Sequence, residues 1–284
     1  MKLSQTRIVI GLAILVVTTS SCGLVNRVRA KNELNEAARA YREGNFTDAE
    51  QRSRRAAELD PDSKTAPVFI ARTIHAQYRP GVQTPENTAK ANEAIQAYQQ
   101  ILAKDPKNEE AYKAIAYLYG ALKDDEKLKA WITSRANDSN VEAPKRAEAY
   151  VVLASKDWDC SFKITELPSN KTTTLETGNR AKVSYKKPTD PKDFTTAQAC
   201  VKRGLEEVEN AIKLDPNSEA AWSYKTNLLL EASKLAEMDG KMDVKTELDK
   251  QRDIAEKRTR VLSEEAQKRK DEEAKKAAEK PTKD

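Results

Sequence analysis

The stretch GLEEVENAIKLDPNSEAAW, residues 204–222, contains the end of one helix, a stop and the start of another. Ala211 and Leu214 close an apolar face at helical spacing. Pro216 cannot continue the hydrogen-bond ladder, and it pushes Asp215 out of the helical region. Asn217-Ser218 supplies turn chemistry, and Ala221-Trp222 opens the next apolar face. The phrase returns twice, as RRAAELDPDSKTA at 54–66 and as QQILAKDPKNEEAY at 99–112. An internal repeat of helix, turn and helix decides the fold class as all-α.

Composition agrees. Glycine is scarce at 8 residues in 284, aromatics make up 6%, and Ala, Glu, Lys, Leu and Arg dominate. Charged residues reach 33%, so much of the chain is surface. The net charge of +5 comes from interspersed signs rather than a basic stripe, which argues against nucleic acid as a partner.

Working outward from the repeated turns, ELNEAARAYREG (33–44) and Phe46–Leu59 form the first helix pair, separated at Gly44-Asn45. Helices are expected at 66–77 and 90–104. The Asp60-Pro61 and Asp105-Pro106 turns lie 45 residues apart, and the surplus over one repeat is assigned to a loop at 78–89 carrying two prolines and a glycine. A third pair spans 109–140. The fourth is interrupted: its helices are expected at 143–155 and 194–214, with an insertion at 156–193 between them. SFKITEL and AKVSYKK alternate and favour strand, so a two-stranded hairpin is expected there. The last pair starts at Glu219 and breaks at Asp239-Gly240, and its second helix runs from 242 past 260. Residues 263–284 carry no large apolar side chain and read as a charged helical or disordered tail.

The helix–turn–helix unit resembles the tetratricopeptide repeat. Its Gly-x-aromatic-x-x-Ala turn, its closing Leu-Asp-Pro, AEAYVVLA at 147–154 and EEAYKAIAYLYG at 109–120 carry the resemblance. It implies a tetratricopeptide-like helix–turn–helix solenoid over 32–262, with a small β-hairpin insertion in the fourth repeat. The family's concave groove commonly holds a peptide. The positions that would line it are Tyr41 and Arg42, Arg72 and His75, Lys113 and Tyr117, and Asn227 and Glu231. That mixture of basic, aromatic and amide groups suits an acidic or carboxylate-terminated peptide.

The N-terminus adds a compartment. Lys2 and Arg7 precede a ten-residue apolar run, Ile8–Val17, which is shorter than the roughly 20 residues a membrane span needs. Ser20-Ser21-Cys22 resembles a bacterial lipobox, which implies a signal peptide at 1–21, lipidation of Cys22 with a fatty acid such as palmitate, and a tether at 22–31. Gly23 after that cysteine points to an outer-membrane lipoprotein facing the periplasm. Export permits a disulfide between Cys160 and Cys200, the alternative being two buried thiols.

No catalytic constellation is present. There is one histidine, the glycines are scattered singly, and no Cys-x-x-Cys occurs. The expectation is therefore not an enzyme, with no cofactor, metal or small-molecule substrate. It is a membrane-anchored scaffold in the cell envelope with a protein or peptide partner. The alternative is an envelope protein touching peptidoglycan or polysaccharide through its hairpin or basic tail, with the repeats as spacer.

Overall fold

The computed structural model describes the backbone over residues 3–176 and 180–278, and the side chains over 23–175 and 181–276. The proposed signal peptide and the side chain of Cys22 lie outside the described residues, apart from the helical backbone of 3–22.

The chain is an all-α array of helix pairs with one small hairpin inserted. In order, the helices are α1 (Leu3–Arg42), α2 (Phe46–Leu59), α3 (Thr65–Gln77), α4 (Pro85–Lys104), α5 (Glu109–Ala121), α6 (Asp125–Asn137), α7 (Ala143–Thr165), α8 (Pro191–Leu214), α9 (Glu219–Met238) and α10 (Met242–Ala278). The strands β1 (Lys171–Glu176) and β2 (Arg180–Tyr185) lie between α7 and α8. Among the described residues no helix is long and apolar enough to cross a membrane.

The repeat is visible atom by atom. At the ends of α2, α4 and α8, Asp60, Asp105 and Asp215 each donate N–H to the carbonyl four residues back, and their own carbonyls accept from Ser63, Asn108 and Ser218. The next helix is then capped by the same residue, whose side chain accepts from the N–H of Ala66, Ala111 or Ala221. The turn inside the α1–α2, α5–α6 and α9–α10 pairs also recurs. Gly44, Lys123 and Gly240 all take positive φ, at 79°, 57° and 73°, in the left-handed cap that glycine adopts without penalty.

The chain divides into two compact units, one through Leu128 and one from Lys129. In the first, consecutive helices pack pairwise from α1 to α5, and α1 also touches α3. Small residues allow the close approach: Ala30, Ala56 and Ala66 form one buried cluster, flanked by Leu34 and Leu59. In the second unit α7, α8 and α9 pack mutually, and α10 lies on α9. Buried clusters in this unit include Ala154, Val208 and Leu228; Ala197, Val201, Leu235 and Met238; and Ala147, Val151, Ala211 and Ala221.

Three expectations need correction. The segment 22–31 is not a loose tether but part of α1, and Ala30 is only 2% exposed. The insertion before α4 is shorter, 78–84, because Thr84 caps that helix and Pro85 occupies its first turn. SFKIT is not a strand: α7 continues to Thr165, and the strand begins at Lys171. Ser161 and Thr165, one helical turn apart, both donate to Glu231 on α9 (3.0 and 2.6 Å), a partner some seventy residues away that local alternation cannot reveal. Cys160 and Cys200 are indeed joined, with Cα atoms 6.2 Å apart. The bridge links α7 to α8.

The hairpin is held by charge. Lys171 and Lys234 both contact the Glu166 carboxylate at 2.7 Å, and the Tyr185 hydroxyl donates to it. Burial opposes ionisation of Glu166, but these hydrogen bonds outweigh it and hold its pKa at about 2. The Tyr185 N–H donates to Glu237, and Lys187 pairs with Asp239. These contacts brace a two-stranded ribbon that alone is marginal in water.

Candidate functional site

Tyr41, Arg72, His75 and Tyr117, four of the eight expected groove residues, converge on one pocket of about 290 Å³ in the first unit. Three helices bring them together: Tyr41 ends α1, Arg72 and His75 are a turn apart on α3, and Tyr117 lies on the last turns of α5. Repeat geometry explains the meeting, since the first helix of successive pairs presents one face to the same side.

The interior is aromatic. His75 stands edge-on to Tyr98, with ring centroids 5.9 Å apart and Nδ1 3.3 Å from the hydroxyl. It lies tilted against Tyr117 at 5.5 Å. Tyr41 packs edge-on against Phe46 at 5.2 Å. Tyr98 is 2% exposed and Tyr78 is buried, so both belong to the floor, whereas Tyr117 is 53% exposed and stands as a wall.

Charge inside is cancelled. Arg72 makes a bidentate pair with Glu110 of α5 through Nε and an Nη. That hydrogen bonding raises the arginine pKa and lowers that of the carboxyl. Burial lowers the pKa of His75, favouring the neutral ring at pH 7. Burial likewise raises Tyr98, so its hydroxyl keeps its proton. The pocket therefore offers ring faces and hydrogen-bond donors, not net charge.

The remaining expected residues divide. Arg42 and Lys113 are exposed, beside Tyr41 and one turn before Tyr117 respectively, but do not line the pocket. Asn227 and Glu231 belong to the second unit. Asn227 is half-buried, and Glu231 is 0% exposed, so it is not a groove residue. It accepts from Ser161 and Thr165 and pairs with Lys234 at 2.5 Å. Four lining residues escape the sequence reading: Ala76 from α3, Tyr78 and Pro80 from the 78–84 insertion, and Tyr98 from α4. Tyr98 carries the helical spacing of a core residue with Ala94 and Ile101, so nothing local marks its second role. A larger cleft of about 920 Å³ lies beside Asp62, Pro67 and Lys104, but it gathers no aromatic cluster. Among the described residues no group of three or more His, Cys, Asp or Glu could hold a metal ion.

The fold and pocket define a helical-repeat protein with an aromatic pocket. The chain matches no protein-family model and no curated protein. Among solved structures it is similar to one described as "MamA RS-1 ArsTM double mutant", with a TM-score of 0.35 and 13% identity over 79% of this chain and 97% of that one. A likeness so distant carries no functional argument.

Proposed function

We propose that the protein is a membrane-tethered interaction scaffold that takes an extended segment of a partner protein into the Tyr41–His75–Tyr117 pocket. The observation that supports this reading is the convergence of those side chains from three helices on one concave, uncharged, donor-rich site. Sites of this kind owe affinity to aromatic surface and orientation to a few polar groups. The lipobox-like Ser20-Ser21-Cys22 supports a lipid tether that keeps the scaffold at the envelope, with the outer membrane favoured by Gly23.

Two experiments test the parts separately. Tyr117→Ala removes an exposed wall without touching the core and should abolish capture of the partner segment. Unchanged capture would remove the pocket from the reading. Cys22→Ala should release the protein from the membrane fraction and end palmitate labelling. A variant that stays membrane-bound would refute the tether.

A further inference from the structure

We infer that the 78–84 insertion converts the pocket into a slot for a proline ring, and that the partner segment is an extended, proline-containing stretch with acidic residues on its flanks. This inference rests on the pocket being a peptide site and adds the class of peptide.

The insertion is a built wall. At Gly81 the chain turns with φ +84°, a conformation open to glycine. The Asn87 side chain then holds the loop by three hydrogen bonds. Its Oδ1 accepts from the Arg79 N–H at 2.8 Å, and its Nδ2 donates to the carbonyls of Arg79 and Val82 at 2.8 and 2.7 Å. Held in this way, the loop delivers Tyr78 and Pro80 to the pocket lining alongside Tyr41 and Tyr117. Without the insertion, the space between α3 and α4 would lack that side.

The interior then selects by what it lacks. Arg72 is committed to Glu110, so a carboxylate entering the slot finds no free cation, and an ammonium finds a guanidinium nearby. A flat uncharged ring matches the tyrosine faces. The hydrogen bonding is one-sided as well. His75 Nδ1 and the Tyr98 hydroxyl share one hydrogen bond, and in the tautomer where Tyr98 donates, Nε2–H is the ring's remaining donor. A proline brings no N–H to be satisfied, and the carbonyls of an extended polyproline-type segment point outward and need donors. Such a segment is also pre-ordered, so binding it costs less entropy.

The rim carries the opposite lesson. Arg42, Arg79 and Lys113 are exposed and adjoin Tyr41, Tyr78 and the Tyr117 face, with Glu43 the acidic neighbour at the end of α1. Three cations outside a neutral slot favour acidic flanks around an uncharged anchor, in a salt-dependent manner.

The chain has a single histidine, and it is in the pocket, so its Cε1–H resonance is an unambiguous reporter in the full-length protein. Four capped or free hexapeptides serve as probes: Glu-Glu-Pro-Pro-Glu-Glu, the same with Ala-Ala at the centre, the proline peptide with lysine flanks, and the alanine peptide with a free carboxylate. The capped acidic proline peptide should shift the resonance saturably. Central alanine and lysine flanks should each weaken binding by about tenfold. In Asn87→Ala the proline-to-alanine preference should fall below about threefold, with Asn87→Asp intermediate because it keeps the acceptor for the Arg79 N–H. Pro80→Ala, at an exposed position, should lower the preference in the same direction even if Asn87→Ala does not fold. Equal binding of the alanine peptide, or full preference retained in both the Asn87→Ala and Pro80→Ala variants, overturns the proline inference and leaves the pocket standing. A resonance unmoved by all four peptides overturns the peptide-site reading itself.

Discussion

The same substitution, Gly→Ala within a helix, should have opposite signs at two positions. At Gly204 on α8, an added Cβ would lie 2.7 and 3.1 Å from the two Leu228 methyls and 3.3 Å from the Asp157 Cβ. Carbon atoms normally pack at about 3.5–4.0 Å. Leu228 cannot swing aside freely, because it is fully buried among Ala154 and Val208. Overpacking of this kind costs about 1–3 kcal/mol. Alanine returns about 1 kcal/mol of helix propensity. A 2.7 Å contact with a buried side chain falls in the upper part of that range, about 2–3 kcal/mol, so the net expectation for Gly204→Ala is a loss of about 1–2 kcal/mol. At Gly120 on α5, the added Cβ meets only the Leu128 Cδ2, at an ordinary 3.6 Å. Gly120→Ala should therefore gain about 0.5–1 kcal/mol. Urea titration by circular dichroism, with the disulfide intact and m-values compared, reads both. A Gly204→Ala protein as stable as the parent would show that the α7–α8–α9 approach does not depend on the missing side chain.

The Cys160–Cys200 bridge closes a loop of 40 residues, which in the chain-entropy view is worth about 4 kcal/mol. The Cys160→Ala/Cys200→Ala double variant should show that loss in urea, and an unchanged midpoint would argue that the α7–α8 contact suffices alone. Glu231→Ala strands Ser161, Thr165 and part of the buried Lys234 charge, and should cost about 3–5 kcal/mol. Glu231→Gln, which keeps an acceptor, should cost less, and equal losses would refute the hydrogen-bonding account. Glu207 has its pKa raised from 4.5 to about 7, first by burial and then by the negative charge of Asp157, and its Oε2 is buried without a hydrogen-bond partner. Because its folded pKa is the higher one, the stability it contributes is full below pH 4.5 and is lost as pH rises through 7. Partial exposure discounts the effect to about 1–2 kcal/mol. Glu207→Gln should flatten that part of the stability–pH profile between pH 5 and 8, as read by urea midpoints across the range, and a parallel profile would refute the shift.

Much of the fold was legible because each repeat carries its own stop signal. Asp60, Asp105 and Asp215 end their helices with the geometry that the Asp-Pro pairs announce, and Ser63, Asn108 and Ser218 cap the next helices as their side chains suggest. What failed was decided at a distance. Alternation in SFKITEL reads as strand locally, yet Ser161 and Thr165 are fixed on one helix face by Glu231 of α9. Glu231 itself looked like a polar groove residue, because charged side chains are rarely fully buried unless paired, and the pairing with Lys234 and the two hydroxyls is a tertiary fact. In the pocket, the positions on successive first helices came from the resemblance to the tetratricopeptide repeat, which singled out Tyr41, Arg72, His75 and Tyr117. Tyr78 and Pro80 could not, since an insertion has no repeat to copy, and the clamp by Asn87 is visible only when the loop is closed.

The helix α1 has a consequence for orientation. It runs unbroken for 40 residues and carries Tyr41, a wall of the pocket, on its final turn. At about 1.5 Å per residue, the part from Cys22, the proposed anchor, to Arg42 is a strut of about 30 Å, with each residue adding about 100° of rotation. Its N-terminal portion thus transmits phase as well as reach. Removing one residue between 24 and 29 would shorten the strut only slightly, yet it would turn the pocket by about 100° about the strut axis as seen from Cys22, while removing a whole turn of residues would nearly restore the original direction. The length of this segment specifies a compass bearing for the binding site.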